Sequence, residues 1–578
     1  MGVYTLRRSF VHGADHRGQG GANMSSVRTG GSRRLGQSRV GAAAVLPRSR
    51  CRAVRRAAAV LAMGMVCWVF GASSPALAAV TGGFPARVSW TACPSSPSGL
   101  PDFGQQCATV PVPLDYRHPA ARRIAIAISR IAARDPAVRH GILLFNPGGP
   151  GVPGLVDFPR ELEEGLPQAI LDRYDIIGFD PRGVEYSSPV SCGLTPQQAA
   201  EAILPLMQPA GFRATVAFER WVAGRCAATS GALLPYITTA NTARDMDAIR
   251  AALGEPKLSY YGGSYGTYLG AVYASLFPDR TDRVILDSSV GPHYVWRAAF
   301  RLVGLGGDLR FPDFAAFAAA NDATYHLGAT PQAVEQTYYR LLHRLDTNPL
   351  TVPGGIGYGG AVFTVVNGAL FRAITFRLLY DDGLFPTLAA YWRAVVESPI
   401  AAATRQPSLA ALDGDQVPDN SQAGPALAVL CDDVQWLRPV AEYRFQLRSD
   451  ELLHPKFAEL GSNIWPCAFW RYRPQEPPVT ISPIGPRNVL ILENARDPIT
   501  PLPLALDMRA SFGNRASLVV ADAGGHGVTN TCAGELAVGF LASGVLPGDT
   551  FCPADPPGTA PKAVMTAPAQ PRWPPLIR

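Results

Sequence analysis

The stretch Leu258 to Pro292, LSYYGGSYGTYLGAVYASLFPDRTDRVILDSSVGP, constrains what this chain can fold into more than any other. A short run of β type, Leu258-Ser259-Tyr260-Tyr261, leads into Gly262-Gly263-Ser264-Tyr265-Gly266 and then into an apolar helical pattern that stops at Pro278. A serine at the tip of so tight a strand-to-helix turn needs neighbours without side chains, because the turn is strained and the helix packs close to the strand. Gly262 and Gly266 meet that need. Arg283 to Asp287 then reads as a second buried strand. The G-x-S-x-G therefore reads as a nucleophile elbow, with a purely structural glycine turn as the competing reading.

The chain on either side supplies the rest of an alternating pattern. Val110 to Tyr116 reads as an edge strand held extended by prolines, Ile124 to Ile128 alternates as a strand, and Gly141 to Phe145 is apolar throughout, as in a sheet buried on both faces. Asn146-Pro147-Gly148-Gly149-Pro150-Gly151 follows, a loop of bare backbone N–H groups. No G-K-[ST] comes after it, which excludes a phosphate-binding P-loop. In a serine hydrolase the same loop supplies half of an oxyanion hole, the other half being the amide after the nucleophile. These are assigned to Gly149 and Tyr265, with Gly148 as the rival. Tyr174 to Phe179 is the next strand, ending in Asp180-Pro181-Arg182-Gly183, and Asn241 to Leu253 is an amphipathic helix.

After Pro292 the rhythm breaks for about 190 residues rich in aromatics and helical periodicity, clearest over 331–345, with Gly-rich interruptions at 353–360. It resumes with a strand at 488–493, a helix at 502–512, a strand at 516–521 and a helix near 535–541. The expected fold is a mostly parallel, doubly wound α/β sheet with a large, mainly helical cap inserted after the strand that follows the nucleophile helix. The expected organisation is a leader at 1–78, core at 79–292, cap at 293–487, core again at 488–552 and a Pro-rich tail at 553–578.

Net charge is +7, but residues 1–56 hold twelve arginines and a single acid, Asp15, and without that segment the balance is about −4. A nucleic-acid partner has no support in such a body. The 23 uncharged residues Ala57 to Ala79 follow Arg55-Arg56 and end in Ala76-Leu77-Ala78, which reads as an export signal cut after Ala78, an uncleaved membrane anchor being the alternative. Cleavage leaves eight cysteines, an even count suited to disulfides in an exported protein. Their spacing suggests four local loops: Cys93 to Cys107, Cys192 to Cys226, Cys431 to Cys467 and Cys532 to Cys552. No C-x-x-C occurs and no histidine clusters with them, so a zinc site is not expected; serine hydrolase chemistry requires neither a metal nor an organic cofactor.

A serine nucleophile needs a base, and the base needs a third group to hold its tautomer. The chain order for this fold is Ser, then acid, then His. Asp497, in Arg496-Asp497-Pro498, lies just past the strand ending at Glu493, itself the rival acid. His526, in Gly524-Gly525-His526-Gly527, lies just past the last strand.

At these positions the sequence resembles the exported tripeptidyl-aminopeptidase-like branch of the proline iminopeptidase α/β-hydrolases. The resemblance runs from about Cys107 to Cys552 and rests on CATVPVPLDY, NPGGPG, DIIGFDPRG, NTARDMDAIR, YYGGSYGTYLG, Cys431-Asp432-Asp433, NVLILENARDPITP, GGHG and GVLPGDTFC. It implies removal of short peptides or single residues from free N-termini, with Ser264, Asp497 and His526 as the triad. An exopeptidase must bind the α-ammonium group, for which Asp433, the acid of the family's Cys-x-Asp, is the first candidate, Asp432 the second and Asp381-Asp382 a weaker one. Val152-Pro153 after Gly151, and Glu185 where a small residue is usual, depart from the pattern near the acyl pocket. A secreted esterase or lipase with the same triad is the competing enzyme. An inactive, peptide-binding surface protein is the alternative of another class.

Overall fold

The computed structural model describes residues 88–203, 206–358, 361–398 and 422–556. The expected leader, export signal and most of the Pro-rich tail lie outside the described residues. Among the described residues twelve strands are present: β1 Thr91–Ala92, β2 Gln106–Pro113, β3 Arg123–Ile131, β4 Gly141–Asn146, β5 Tyr174–Phe179, β6 Leu258–Gly263, β7 Thr281–Asp287, β8 Leu350–Tyr358, β9 Ala361–Val366, β10 Val489–Arg496, β11 Ala516–Gly524 and β12 Thr550–Cys552. Ten form one sheet in the order β1-β2-β3-β5-β4-β6-β7-β10-β11-β12. The first three run antiparallel to their neighbours, and every pairing from β5 to β12 is parallel.

Parallel strands need crossovers, and the helices that make them cover both faces, so β4, β5 and β6 are buried at every residue. One face packs on helices Thr239–Ala252 and Tyr265–Leu276, the other on Asp157–Gly165 and Thr531–Ser543. Past Cys107, β2 has only β3 beside it among the described residues, and Pro111 and Pro113 lie on that unpaired stretch of the sheet. The DPRG turn and the 239–252 helix are joined by a buried ion pair. Arg182 of the DPRG turn, fully buried, donates from Nε (2.7 Å) and Nη2 (2.6 Å) to Asp245 of the 239–252 helix. Removing either partner of such a pair leaves a buried charge and costs about 3–5 kcal/mol.

Between β7 and β10 the chain forms helices and the β8–β9 hairpin around their own aromatic core. Trp392 lies there, with Tyr338 stacked at 5.4 Å and Phe314 edge-on at 5.0 Å. The hairpin was unexpected, since Val352-Pro353-Gly354-Gly355 carries little strand propensity, and Leu350, Ile356 and Phe363 are drawn into pairing by burial. Helices Pro196–Ile203 and Phe212–Ser230 likewise fill a stretch without clear periodicity. The insertion packs within the same compact unit as the sheet. Among the described residues four disulfides join Cys93 to Cys107, Cys192 to Cys226, Cys431 to Cys467 and Cys532 to Cys552.

Candidate active site

Ser264 stands between β6 and its helix with φ 54° and ψ −123°, a conformation that side chains rarely adopt. The turn closes only because its flanks are bare: a Cβ on Gly262 would lie 2.3 Å from the Gly266 carbonyl oxygen, and one on Gly266 2.7 Å from that of Asn146. The Ser264 amide donates to the Asp287 carbonyl at 2.9 Å, and Thr267 Oγ1 donates to the Ser264 carbonyl at 2.6 Å. The serine is thus held out from the carboxyl end of the sheet, where ligands bind in open α/β folds.

The loop after β4 presses on this elbow. A Cβ on Gly148 would sit 2.6 Å from the Gly263 carbonyl oxygen, 2.9 Å from Ser264 Cβ and 3.3 Å from the Tyr265 amide nitrogen. The Gly148 amide donates to Asn146 Oδ1 at 3.1 Å, which leaves the Gly149 amide as the loop's candidate oxyanion donor beside that of Tyr265. Of the two departures from the family pattern, Val152 packs its Cγ2 against Gly149. Glu185 lies next to Asp180, whose carboxylate accepts the Gly154 and Leu155 amides at 3.0 and 3.1 Å. Burial, with Glu185 adding to it, pushes Asp180 up to about 7.

Asp497 is fully buried; its Oδ1 accepts the amides of Ile499 and Thr500, both at 2.8 Å, and its Oδ2 lies 2.8 Å from His526 Nδ1. The rival acid, Glu493, instead accepts the Ser289 amide at 2.9 Å, and burial raises it well above the usual carboxylate range. The histidine loop is fastened to the end of β7: Gly527 N donates to Ser288 Oγ (2.8 Å) and Val528 N to Asp287 Oδ1 (3.1 Å). Ser264 and the His526 loop therefore share the Asp287–Ser288 corner. Burial pushes Asp287 up to about 6, against the Tyr261 hydroxyl that donates to it at 2.6 Å.

Sequence reasoning missed several neighbours. Thr500 Oγ1 lies 3.3 Å from His526 Nδ1, and Thr500 belongs to the quoted NARDPITP segment. Tyr380 of the insertion accepts the His526 backbone N–H at 2.8 Å and sets its ring edge-on to the imidazole at 5.3 Å. No sequence signal marked Tyr380.

The acids proposed for the α-ammonium group lie at the end of helix Ala423–Asp432, whose start lies against Gly151. Asp433 accepts from the Thr239 amide (2.7 Å), Thr239 Oγ1 (2.6 Å) and Trp296 Nε1 (3.2 Å), and burial pushes it up to about 7. Asp432 is 1 % exposed and, among the described residues, neither oxygen meets a donor in hydrogen-bond geometry; burial pushes it up to about 8. Asp381 caps a short turn at Gly383, and Asp382 pairs with Arg310. No group of acids, histidines and cysteines among the described residues could hold a metal ion, and no described helix is long and apolar enough to cross a membrane.

Residues 141–528 match the model of the α/β-hydrolase fold family. The chain is 35% identical over 457 residues to the tripeptidyl aminopeptidase of Streptomyces lividans, covering 76% of this chain and 82% of that one. It is 29% identical over 489 residues to the serine protease Hip1 of Mycobacterium bovis (80% and 89% covered), and 27% identical over 458 residues to carboxylesterase B of Mycobacterium tuberculosis (76% and 85%). With a strained serine at a strand-to-helix turn and a carboxylate bonded to a histidine at the ends of neighbouring strands, the chain belongs to the tripeptidyl aminopeptidase and Hip1 family of serine hydrolases with the α/β-hydrolase fold.

Proposed function

We propose that this protein removes short peptides, three residues at a time, from the free N-termini of exported or extracellular peptides. Ser264 attacks the scissile carbonyl while His526 takes its proton, Asp497 holds the imidazole with Nδ1–H toward the carboxylate, and the Gly149 and Tyr265 amides receive the oxyanion. His526 then returns the proton to the leaving amine, and water releases the acyl group by the same route. The observation that carries this reading is the 2.8 Å Asp497–His526 hydrogen bond on a loop tied to the same corner as the Ser264 amide.

The free N-terminus meets Asp432 and Asp433. Both border a cavity of about 20 Å³, room for one group of ammonium size, together with Thr238, Thr239, Tyr268 and Glu476. Tyr265, next to the nucleophile, reaches Thr239 Oγ1 through its hydroxyl at 2.9 Å, and Thr239 reaches Asp433 at 2.6 Å. These contacts link the acids to the nucleophile turn, and an extended tripeptide, which spans about 10 Å, is the length this reading assigns between them. An ammonium ion there supplies the donors that Asp432 lacks.

Mass spectrometry of free and N-acetylated peptides incubated with the mature protein and with Ser264→Ala tests this. Loss of tripeptides from free N-termini alone, absent in the control, is expected. Asp432→Asn and Asp433→Asn raise KM for free-amine substrates and leave N-blocked esters unchanged; equal effects on both classes remove these acids from the role. The carboxylesterase relative favours a second reading, ester hydrolysis by the same residues. Ester turnover without cleavage of any peptide selects it.

A further inference from the structure

The inserted helices touch both loops that carry the candidate acid and base. Helix Val303–Ala320 crosses the Asp497 turn so closely that a Cβ on Gly306 would lie 2.1 Å from the Pro498 carbonyl oxygen and 3.0 Å from that of Asp497. One turn further along, Arg310 is 1 % exposed and lies against the histidine loop, where a Cβ on Gly524 would fall 2.1 Å from its Nη1. Its guanidinium donates from Nε to the Leu379 carbonyl (2.9 Å), from Nη1 to Asp313 Oδ2 (2.7 Å) and from Nη2 to Asp382 Oδ1. Asp313 Oδ2 also accepts from Arg496 Nε at 2.9 Å, and Arg496 Nη1 donates to Asp522 Oδ1 at 2.7 Å. Arg496 and Asp522 lie on β10 and β11, the strands that lead to Asp497 and His526.

We infer that Arg310 is a positioning residue for the reaction: it clamps residues 379–382 of the insertion onto the histidine loop, so that the Tyr380 carbonyl fixes the backbone of His526 from the side opposite the sheet. The inference rests on His526 being the base. The imidazole is steered at Nδ1 by Asp497, but its Cα is set by two further bonds, His526 N to Tyr380 O and Gly525 N to Arg496 O at 3.3 Å. Both acceptors belong to segments that the Arg310–Asp313–Arg496 network holds. Only a planar, five-donor guanidinium can serve Leu379, Asp313 and Asp382 at once; an ammonium or an amide serves fewer. A shift of about 1 Å at a base lowers turnover about 100-fold.

The test measures hydrolysis of p-nitrophenyl acetate, which reports acyl transfer whatever the peptide specificity, with rates divided by the number of sites labelled to completion by a fluorophosphonate. Arg310→Gln is expected to lower kcat per labelled site about 10- to 100-fold, with KM changed less than about twofold. Asp313→Ala, which removes the bridging acceptor without emptying the buried Arg310 site, is expected to lower it by a smaller factor of about 5 to 20. An unchanged kcat per site in Asp313→Ala, or in a folded Arg310→Gln, overturns the inference, as does a loss confined to the number of labelled sites. Asp313→Ala decides alone if Arg310→Gln does not fold. His526→Ala separates the two levels. Retained activity there removes the base assignment, whereas an inactive His526→Ala beside unaffected network variants removes the clamp alone.

Discussion

Deprotonating Asp432 costs the fold stability, and Asp432→Asn measures how much. The carboxyl is 1 % exposed, and the Trp470 indole N–H near it lies outside hydrogen-bond geometry. Burial, with the neighbouring Asp433 adding to it, pushes the carboxyl from 3.8 up to about 8. The unfolded chain releases this proton near pH 3.8, while the native state keeps it to about pH 8. Between those values the native state binds more protons, so stability is fully present below the unfolded value and falls as pH rises, levelling off above the folded one. At about 1.4 kcal/mol per pH unit, the loss between pH 5 and pH 8 is about 4 kcal/mol. For a folded unit of this size that is about 4 °C in Tm. Asparagine fills nearly the same volume and does not titrate, and groups that titrate alike in both proteins cancel in the difference. Melting curves of wild type and Asp432→Asn at pH 5, 6, 7 and 8 are therefore expected to diverge by about 4 °C in favour of the variant. A difference that stays constant over that range, or that moves toward the wild type, would falsify the placement of a neutral, buried acid at this position.

Two further substitutions probe the site itself. In Asp497→Asn the side-chain oxygen stays with the Ile499 and Thr500 amides, which obliges the NH₂ group to face His526 Nδ1. The imidazole then carries its proton on Nε2 and cannot accept one from serine, so kcat is expected to fall about 10³- to 10⁴-fold with little change in Tm; a fall below tenfold speaks against Asp497 as the orienting acid. Gly148→Ala places a methyl group 2.6 Å from the Gly263 carbonyl oxygen at a φ of 108°. It is expected to push the loop off the elbow and lower kcat at least about 100-fold, the scale of one lost oxyanion donor. Wild-type kinetics in Gly148→Ala would mean that the loop takes no part in catalysis.

Much of the fold was legible because its signals are local. The apolar runs at Gly141–Asn146 and Val489–Arg496, the helix over Pro331–Thr347 and the glycines around Ser264 each carry their conformation within a few residues. The β8–β9 hairpin was not legible: its Pro353-Gly354-Gly355 run argues against a strand, and the pairing is enforced by burial of Leu350 and Phe363 in the aromatic core of the insertion. The helix Phe212–Ser230 was obscured because it buries Glu219 and Cys226 alongside Val222, so its faces do not separate into apolar and polar.

The same division runs through the site. Sequence alone determined the strained serine turn and the chain order of Ser264, Asp497 and His526, because a tight turn and chain order are properties of short segments and of connectivity. Tertiary structure decided what depends on distance between remote residues. Asp497 rather than Glu493 meets His526, since one strand end turns toward the histidine loop and the other toward Ser289. Asp433 is engaged by Thr239 and Trp296, which lie 194 and 137 residues away. Tyr380 and Arg310 reach the histidine loop only because the insertion folds back over the carboxyl end of the sheet. Hydrogen bonds act over about 3 Å of space, and a sequence records separation along the chain.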